Sequence, residues 1–357
     1  MKEDLGRRNA ATLAGGDAAR PPRRVPKTVW GWLFAAAGLT WVLQGLEWQD
    51  FARQLAHLDW RWVALAVACD VLSYLSQGVR WRLLLKPVGD LSTRRATQAI
   101  YAGLFANEIL PMRVGELVRA YLAARWTAVK FIAVIPSMVV ERVFDGWWVA
   151  VGLGLTALFV PLPPGLLRAA GALGVAVVVA AAALLALALR REEVAAGWGA
   201  RRAGRAARAW SWLAERLGRG MRGAGRTRAF YLALGWSLLL LIFQALAFWL
   251  VTLACGLRLS FWAGVAVFLI VHVGTAVPSA PANVGAYQFF TVVGLTLFGV
   301  EKTSAAGFSV IVFMVLTLPL LLLGSLALSR SGATLVSIRR EVRGAAGGWE
   351  ERSRCAF

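Results

Sequence analysis

The sequence predicts an all-α polytopic membrane protein with about six full spans and two broken hairpins arranged as an inverted repeat. Of the 357 residues, 59% are hydrophobic and only 16% are charged. Several apolar runs exceed the roughly 18 residues needed to cross about 30 Å of hydrocarbon. These runs are rich in Leu, Ala and Val and lack a two-residue alternation, which disfavours a transmembrane β-barrel.

Six apolar runs are predicted to span the membrane. They cover residues 29–46, 62–85, 128–160, 165–189, 230–254 and 305–328. Trp and Tyr gather near the ends of these runs, where an amphipathic ring suits the headgroup level. The chain is therefore expected to cross the membrane repeatedly.

The distribution of Arg predicts the orientation of the spans. The net charge of +20 would suggest nucleic acid in a soluble protein, but most Arg residues lie between apolar runs. Because basic loops stay in the cytoplasm, we predict no nucleic-acid partner and a cytoplasmic position for both termini. Residues 1–28 and 329–357 are predicted to be basic cytoplasmic tails, the first of them disordered. The Arg-rich segments 86–95 and 190–228 are placed inside, and segments 47–59, 161–164 and 255–260, which are poor in Lys and Arg, outside.

Two further apolar stretches, residues 97–126 and 261–300, are broken by Pro and Gly. Given the orientation above, each stretch must enter and leave on one face, so both are predicted to be re-entrant hairpins from opposite sides. The segments "PMRVGELV" and "PANVGAYQ", which start at Pro111 and Pro281, share Pro, Val and Gly at an offset of 170 residues. The order span, span, hairpin, span occurs twice, which predicts inverted repeats over residues 29–160 and 161–328.

Charged residues crowd the first broken stretch, in "NEILPMRVGELVRA" from Asn107 to Ala120. A charge at the centre of a membrane helix costs roughly 2.5 to 3.5 kcal/mol, so these side chains must face protein or water. The candidate network has four charges of each sign: Arg80, Arg113, Arg119 and Arg142 against Glu108, Glu116, Glu141 and Asp145. Two interpretations stay open: the pairs only hold helices together, or some arginines exchange a carboxylate for a lipid phosphate.

Four motifs in this order carry a family resemblance: "GVRWRLLL", "FANEILPMRVGELVRAYL", "ERVFD" and "PSAPANVGAYQ". Together they resemble the lysylphosphatidylglycerol synthase transmembrane-region family of flippase-like proteins. The resemblance implies a bacterial cytoplasmic-membrane protein that handles a lipid. It gives functional weight to these candidates: Asn107, Pro111, Arg113, Gly115, Glu116, Arg119, Glu141, Arg142 and Asp145. No soluble lysyl-transferase domain is expected after residue 328, so the resemblance implies no synthase activity.

The second broken stretch departs from the family pattern. Ala282 and Asn283 follow Pro281 where a Pro-Gly pair is usual, and Gln288 stands where a carboxylate is expected. This departure puts a proton or cation role of position 288 in doubt. The candidate substrate path is completed on this side by Pro278, Pro281, Asn283, Gly285 and Gln288.

The function predicted from these features is a lipid flippase or transporter that moves an anionic or zwitterionic lipid between leaflets. The sequence contains no GxxxxGK[ST] motif, and the scattered Cys and His residues predict neither a metal site nor a cofactor. The alternative is a membrane enzyme or accessory protein for polyprenyl-phosphate-linked sugar transfer, with Glu47, Asp50 or Asp59 as base or ligand. The lipid, the direction, the energy source and the oligomeric state are left open.

Overall fold

The computed structural model describes residues 27–44, 46–110, 114–189, 228–276 and 280–333, and these ranges contain helices and connections but no strand. The helices are α1 (Lys27–Leu43), α2 (Trp48–Ala56), α3 (Trp60–Leu85), α4 (Thr93–Ile109), α5 (Gly115–Thr127), α6 (Phe131–Thr156), α7 (Pro164–Leu189), α8 (Arg228–Ala254), α9 (Phe261–Gly274), α10 (Ala286–Leu297) and α11 (Lys302–Ser329). A 3-10 turn, Pro281–Asn283, precedes α10.

The six predicted apolar runs each contain one long helix: α1, α3, α6, α7, α8 and α11. Of the helices in the described ranges, α3, α8 and α11 are long and apolar enough to cross a membrane by length and composition. The all-helical, membrane-spanning fold is thus confirmed, while the count of six full spans stays a prediction. The predicted tails and the basic loop at 190–228 lie almost entirely outside the described residues.

Both Pro/Gly-broken stretches consist of two helices around an interruption. In the first, α4 and α5 pack against each other across the break at residues 110–114. In the second, α9 packs against α10 across a break that contains the 3-10 turn. Helix, break and helix therefore follow in the predicted order, and the membrane face from which each stretch enters stays a prediction.

Side-chain caps define where several helices begin. Ser92 Oγ accepts a hydrogen bond from the backbone N–H of Arg95 at the start of α4. Ser260 Oγ accepts one from the N–H of Ala263 at 3.2 Å at the start of α9. Such caps satisfy donors that the first helical turn leaves free, so these two helices start at fixed positions although apolar residues follow.

The core of the bundle is built around α3, which packs more extensively against α8 than against any other described helix. Ala66 of α3, Phe248 of α8 and Phe308 of α11 are fully or almost fully buried in one hydrophobic cluster. A second cluster joins α3, α4 and α5 around Trp81 and Ile100. The second cluster packs the first broken stretch against α3.

The two broken stretches touch each other. Helix α4 of the first stretch packs against the 3-10 turn Pro281–Asn283 of the second. Gly285, which follows that turn, has a φ of +86°, a backbone conformation that favours glycine. A side chain at this position would also overlap the backbone of Ala35 in α1. The close fit places the start of α10 against α1.

Candidate functional site

Six charged side chains from three helices form a closed ring in which every charge contacts two charges of opposite sign. Its members are Arg80 of α3, Glu116 and Arg119 of α5, and Glu141, Arg142 and Asp145 of α6. We call this set the charge ring. It contains three arginines and three carboxylates, so its net charge is zero.

The inner half of the charge ring is formed by Arg80, Glu141 and Arg119. Glu141 accepts from both arginines, with 3.2 Å to Arg80 and 2.6 Å to Arg119. The side chains of Arg80 and Glu141 are 0% exposed and that of Arg119 is 4% exposed. Desolvation of these groups is costly, and close pairing with extra hydrogen bonds offsets that cost.

The inner arginines have further partners on neighbouring helices. Arg80 donates to Ser237 Oγ of α8 at 3.2 Å. The guanidinium of Arg119 lies 4.6 Å from the ring centroid of Trp81, a cation–π arrangement. Trp81 in turn donates its indole N–H to Ser137 Oγ at 3.1 Å. The inner half is therefore fixed by four helices.

The outer half of the charge ring is more accessible. Arg142 is 52% exposed and contacts Glu116 at 3.3 Å and Asp145 at 3.5 Å. Glu116 is 33% and Asp145 20% exposed. Glu116 closes the circuit to Arg119 at 3.2 Å, and Asp145 closes it to Arg80. The ring thus has a buried side and an open side.

Helical spacing explains most of this geometry. Glu116 and Arg119 are three residues apart on α5, and Arg142 and Asp145 are three apart on α6, so each pair shares a helix face. Helix α5 ends at Thr127 and is capped by Ala128, which has a positive φ of 54°, and α6 begins after Lys130. This short connection brings the two charged faces together.

The charge ring lies nearer one end of α3 than its middle. Arg80 precedes the last residue of that helix, Leu85, by five positions, or about 8 Å at 1.5 Å per residue. The segment that follows Leu85 contains the Arg-rich residues 86–95, which the sequence places in the cytoplasm. The ring is thus associated with that end of α3.

The first break is shaped by Asn107 and Gly115. Asn107 Oδ1 accepts a hydrogen bond from the Gly115 N–H at 2.7 Å. A methyl group on Gly115 would overlap the carbonyl oxygen of Gly103 and lie 2.6 Å from Asn107 Oδ1. These two candidates therefore set the geometry of the break that carries Glu116 and Arg119. Pro111 and Arg113 lie outside the described residues, as does Pro278 of the second break.

The candidate residues of the second break either form its turn or hydrogen-bond to its backbone. Gln288 is buried, and its Oε1 accepts a hydrogen bond from the Gly285 N–H at 2.7 Å. Pro281 and Asn283 form the 3-10 turn, and Asn283 has a φ of +50°. Among the described residues, no ion pair or hydrogen bond joins this group to the charge ring. Gln288 thus occupies the position of the expected carboxylate as a helix cap.

Of the eight charged candidates, six form the ring and Arg113 is outside the described part of the chain. Glu108 is not a ring member. It lies in the last turn of α4 and acts electrostatically on Tyr74 of α3. The sequence pattern grouped Glu108 with the other charged candidates, but within the described ranges no ion pair joins Glu108 to the ring.

Sequence reasoning missed Ser237 and Asp70. Ser237 donates to the Ala233 carbonyl in its own helix while accepting from Arg80, and nothing in an apolar run distinguishes such a serine. Asp70 is a buried acid near the middle of α3. An acid inside a predicted span is itself a signal of function, and that signal was available in "VACDVLSYL".

An all-helical membrane protein with two broken-helix stretches and a buried, neutral charge ring is the class that this fold and site define. The chain belongs to the family described as the lysylphosphatidylglycerol synthase TM region, whose family model matches residues 28–324. The resemblance read from the four motifs is thereby confirmed.

Two curated proteins are similar to this chain. One is a UPF0104 membrane protein of Methanothermobacter thermautotrophicus, which is 25% identical over 295 residues, covering 78% of this chain and 86% of the relative. The other is Glycosyltransferase AglD of Haloferax volcanii, which is 33% identical over 84 residues. That second match covers 23% of this chain and only 14% of the glycosyltransferase.

Proposed function

We propose that this protein is a lipid flippase or lipid transporter that moves an anionic or zwitterionic phospholipid between the leaflets of the bacterial cytoplasmic membrane. The observation that carries the proposal is the charge ring with one open side. Every arginine in it is shared between two carboxylates. An arginine that is shared in this way can exchange one carboxylate for a competing anion while it stays paired with the other.

The open side is where a phosphate exchanges most easily for a carboxylate. Arg142 makes the two longest contacts of the ring, at 3.3 Å and 3.5 Å. Its planar guanidinium can donate two parallel hydrogen bonds to one phosphate. To each of the two carboxylates it makes only one long contact. Glu116, when released, is one-third exposed and stays hydrated. The exchange is therefore expected to cost little.

The inner arginines have unused donors. The Nε atoms of Arg80 and Arg119 are buried and have no hydrogen-bond partner in the described ranges. A buried donor without a partner costs about 1–3 kcal/mol. An anionic headgroup or an accompanying water that reaches this depth would satisfy these donors, which favours entry of phosphate into the ring.

The path between leaflets follows the two broken stretches. Helix α4 contacts the 3-10 turn of the second stretch, so a headgroup that leaves the ring along the first break meets the second break next. In inverted-repeat transporters, substrate sites lie at broken helices near the midplane. We propose that the headgroup passes along these breaks while the acyl chains stay in the bilayer, with both termini in the cytoplasm.

The test is lipid movement in vesicles of phosphatidylethanolamine and phosphatidylglycerol that contain a trace of fluorescent phosphatidylglycerol. Accessibility of the dye to an external quencher reports transfer between leaflets. Arg142→Lys keeps the charge but loses the two-point grip on phosphate. We expect a rate about tenfold lower, since the loss of one charge-assisted hydrogen bond of about 1.5 kcal/mol corresponds to a factor of ten.

The matched control is Arg53→Lys. Arg53 also pairs with a carboxylate, Asp50, but lies on α2, away from the ring, and is 70% exposed. It should move lipid at the wild-type rate. If Arg142→Lys keeps the wild-type rate as well, the headgroup-exchange mechanism is wrong.

The alternative in sugar transfer is favoured by one observation, the partial match to Glycosyltransferase AglD. The acids that would serve it have local partners. Asp50 pairs with Arg53, and Asp59 accepts a hydrogen bond from the Arg61 N–H at the start of α3. Sugar turnover on a polyprenyl-phosphate substrate by reconstituted protein, abolished by Asp50→Ala, would establish this alternative instead.

A further inference from the structure

Asp70 is a buried carboxylate outside the charge ring. It is 4% exposed, and its Oδ2 has no hydrogen-bond partner among the described residues. It precedes Arg80 by ten positions on α3, which corresponds to about 15 Å along the helix axis. Asp70 therefore lies nearer the middle of α3 than Arg80 does.

Tyr74 follows Asp70 by four residues, so their side chains share a face of α3. Tyr101 and Tyr287 are also close enough to Asp70 to interact with it electrostatically. The rings of Tyr74 and Tyr101 pack edge to face, with centroids 5.4 Å apart. Tyr101 is 6% exposed, and its hydroxyl has no hydrogen-bond partner in the described part of the chain. Asp70 and Tyr101 thus each have one buried oxygen that is unsatisfied among the described residues.

These groups come together where the two broken stretches meet. Glu108, which acts on Tyr74, lies in the last turn of α4, and Tyr287 lies in the first turn of α10. Helix α4 also packs against the turn that precedes α10. We call Asp70, Tyr74, Tyr101, Glu108 and Tyr287 the tyrosine–carboxylate cluster.

The tyrosine–carboxylate cluster differs from the charge ring in its charge balance. None of the ion pairs found in the described ranges includes Asp70 or Glu108. Within the described ranges, Cys69 also interacts with Asp70, and it carries no positive charge. An isolated ionised carboxylate in the interior costs several kcal/mol, and binding a proton removes that cost.

A proton fits this cluster better than a metal ion. A metal ion such as Ca²⁺ or Mg²⁺ takes six or more oxygen ligands, typically including several carboxylate or carbonyl oxygens. The described residues contain no group of three or more His, Cys, Asp or Glu side chains placed to hold one. A single proton needs only one carboxylate oxygen, and the unpartnered Asp70 Oδ2 provides it.

We propose that the tyrosine–carboxylate cluster is a proton-binding site, that Asp70 carries the proton, and that lipid movement is coupled to a proton gradient through it. An Asp70 oxygen takes the proton from water on one face of the membrane and returns it to water on the other face. The coupling clause rests on the proposed lipid transport. With Asp70 neutral, the two broken stretches stay packed together; with Asp70 ionised, water enters between them and they separate.

Proton binding is tested without any lipid transport. Infrared spectra of purified protein should contain the C=O band of a protonated carboxyl, and Asp70→Asn should weaken it. Asp50→Asn, at an exposed pair on α2, is the control and should keep the band. Absence of the band from the wild type would overturn the site. So would a band of unchanged intensity in Asp70→Asn.

Coupling is tested in the phosphatidylethanolamine and phosphatidylglycerol vesicles with an imposed pH gradient. We expect the gradient to raise the wild-type rate on the order of tenfold, a usual size for coupling between two sites. Asp70→Asn should show one rate with and without the gradient, whereas Asp50→Asn should respond like the wild type. Asp70→Glu keeps the carboxyl and should keep the response, so a folding defect in Asp70→Asn is not mistaken for uncoupling.

The outcomes separate the two proposals. A response to a Na⁺ gradient at equal pH, in place of the pH response, would overturn proton coupling in favour of a cation. A gradient response retained in Asp70→Asn would exclude Asp70 as the carrier. No lipid movement by the wild type in any arm would overturn the transport function and with it the coupling, while the infrared band would still decide proton binding.

Discussion

Asn107 Oδ1 accepts a hydrogen bond from the backbone N–H of Gly115 at 2.7 Å. The second broken stretch contains the same bond, from the Gly285 N–H to Gln288 Oε1, also at 2.7 Å. The two glycines are 170 residues apart, which is the offset between Pro111 and Pro281. The acceptor precedes the glycine in one stretch and follows it in the other. Each break is thus stabilised by a carboxamide on the glycine that starts the next helix.

Gly115→Ala tests the close approach of α4 and α5. The added methyl group would overlap the Gly103 carbonyl oxygen, so the two helices must separate. We expect a loss of about 1–3 kcal/mol, as for other overpacked interiors, and a lower thermal midpoint in detergent. Gly154→Ala is the control, since its added methyl would meet no atom within 4 Å. Equal midpoints for the two variants would contradict this packing.

Gln288 is predicted to act as a cap and not as a charge carrier. Gln288→Leu leaves the Gly285 N–H without its acceptor and should destabilise the protein by about 1–3 kcal/mol. Gln288→Glu keeps an acceptor oxygen at the same position and should lose less. Thermal unfolding of both variants measures the difference. If Gln288→Glu is the less stable of the two, the capping role is wrong.

Loss of one inner member of the charge ring should be severe. Glu141→Ala removes a carboxylate that contacts both Arg80 and Arg119 and leaves buried positive charge without compensation. We expect a destabilisation of about 3–5 kcal/mol, seen in thermal unfolding. Asp50→Ala breaks an exposed pair and should cost less than about 1 kcal/mol. Similar costs for the two would mean that the ring is hydrated.

Opposite entry of the two broken stretches is tested by cysteine labelling in a variant that lacks Cys69, Cys255 and Cys355. Met112→Cys, in the first break, should react with a membrane-impermeant reagent from the cytoplasmic side only. Ala282→Cys, in the 3-10 turn of the second break, should react from outside only. Labelling of both positions from one side would contradict the inverted repeat.

The helices and their breaks were predictable because apolar length and Pro/Gly interruptions act locally. The runs at 62–85 and 230–254 correspond to Trp60–Leu85 and Arg228–Ala254, each within two residues. Pairing within α5 and within α6 followed from helical spacing. These parts of the site depend only on neighbours in sequence.

Closure of the ring was not predictable, since it depends on packing between distant segments. Arg80 and Glu141 are 61 residues apart, and only the approach of α3 to α6 joins them. Glu108 was grouped with the ring because it lies in the same charged stretch as Glu116, but it is on α4 and forms none of the ion pairs of the ring. The equal numbers of positive and negative candidates indicated that these residues pair with each other, but not which residue pairs with which.

Neutrality of the charge ring determines how the membrane voltage acts on this protein. Three arginines and three carboxylates sum to zero, so an electric field does no net work on the ring when its helices shift as a unit. A proton on Asp70 is different, because it changes the charge by one near the middle of α3. One charge that crosses the whole membrane corresponds to about 2.3 kcal/mol per 100 mV, and at half depth to roughly 1 kcal/mol. If Asp70 carries the proton, the voltage dependence of lipid movement should have the steepness of a single elementary charge.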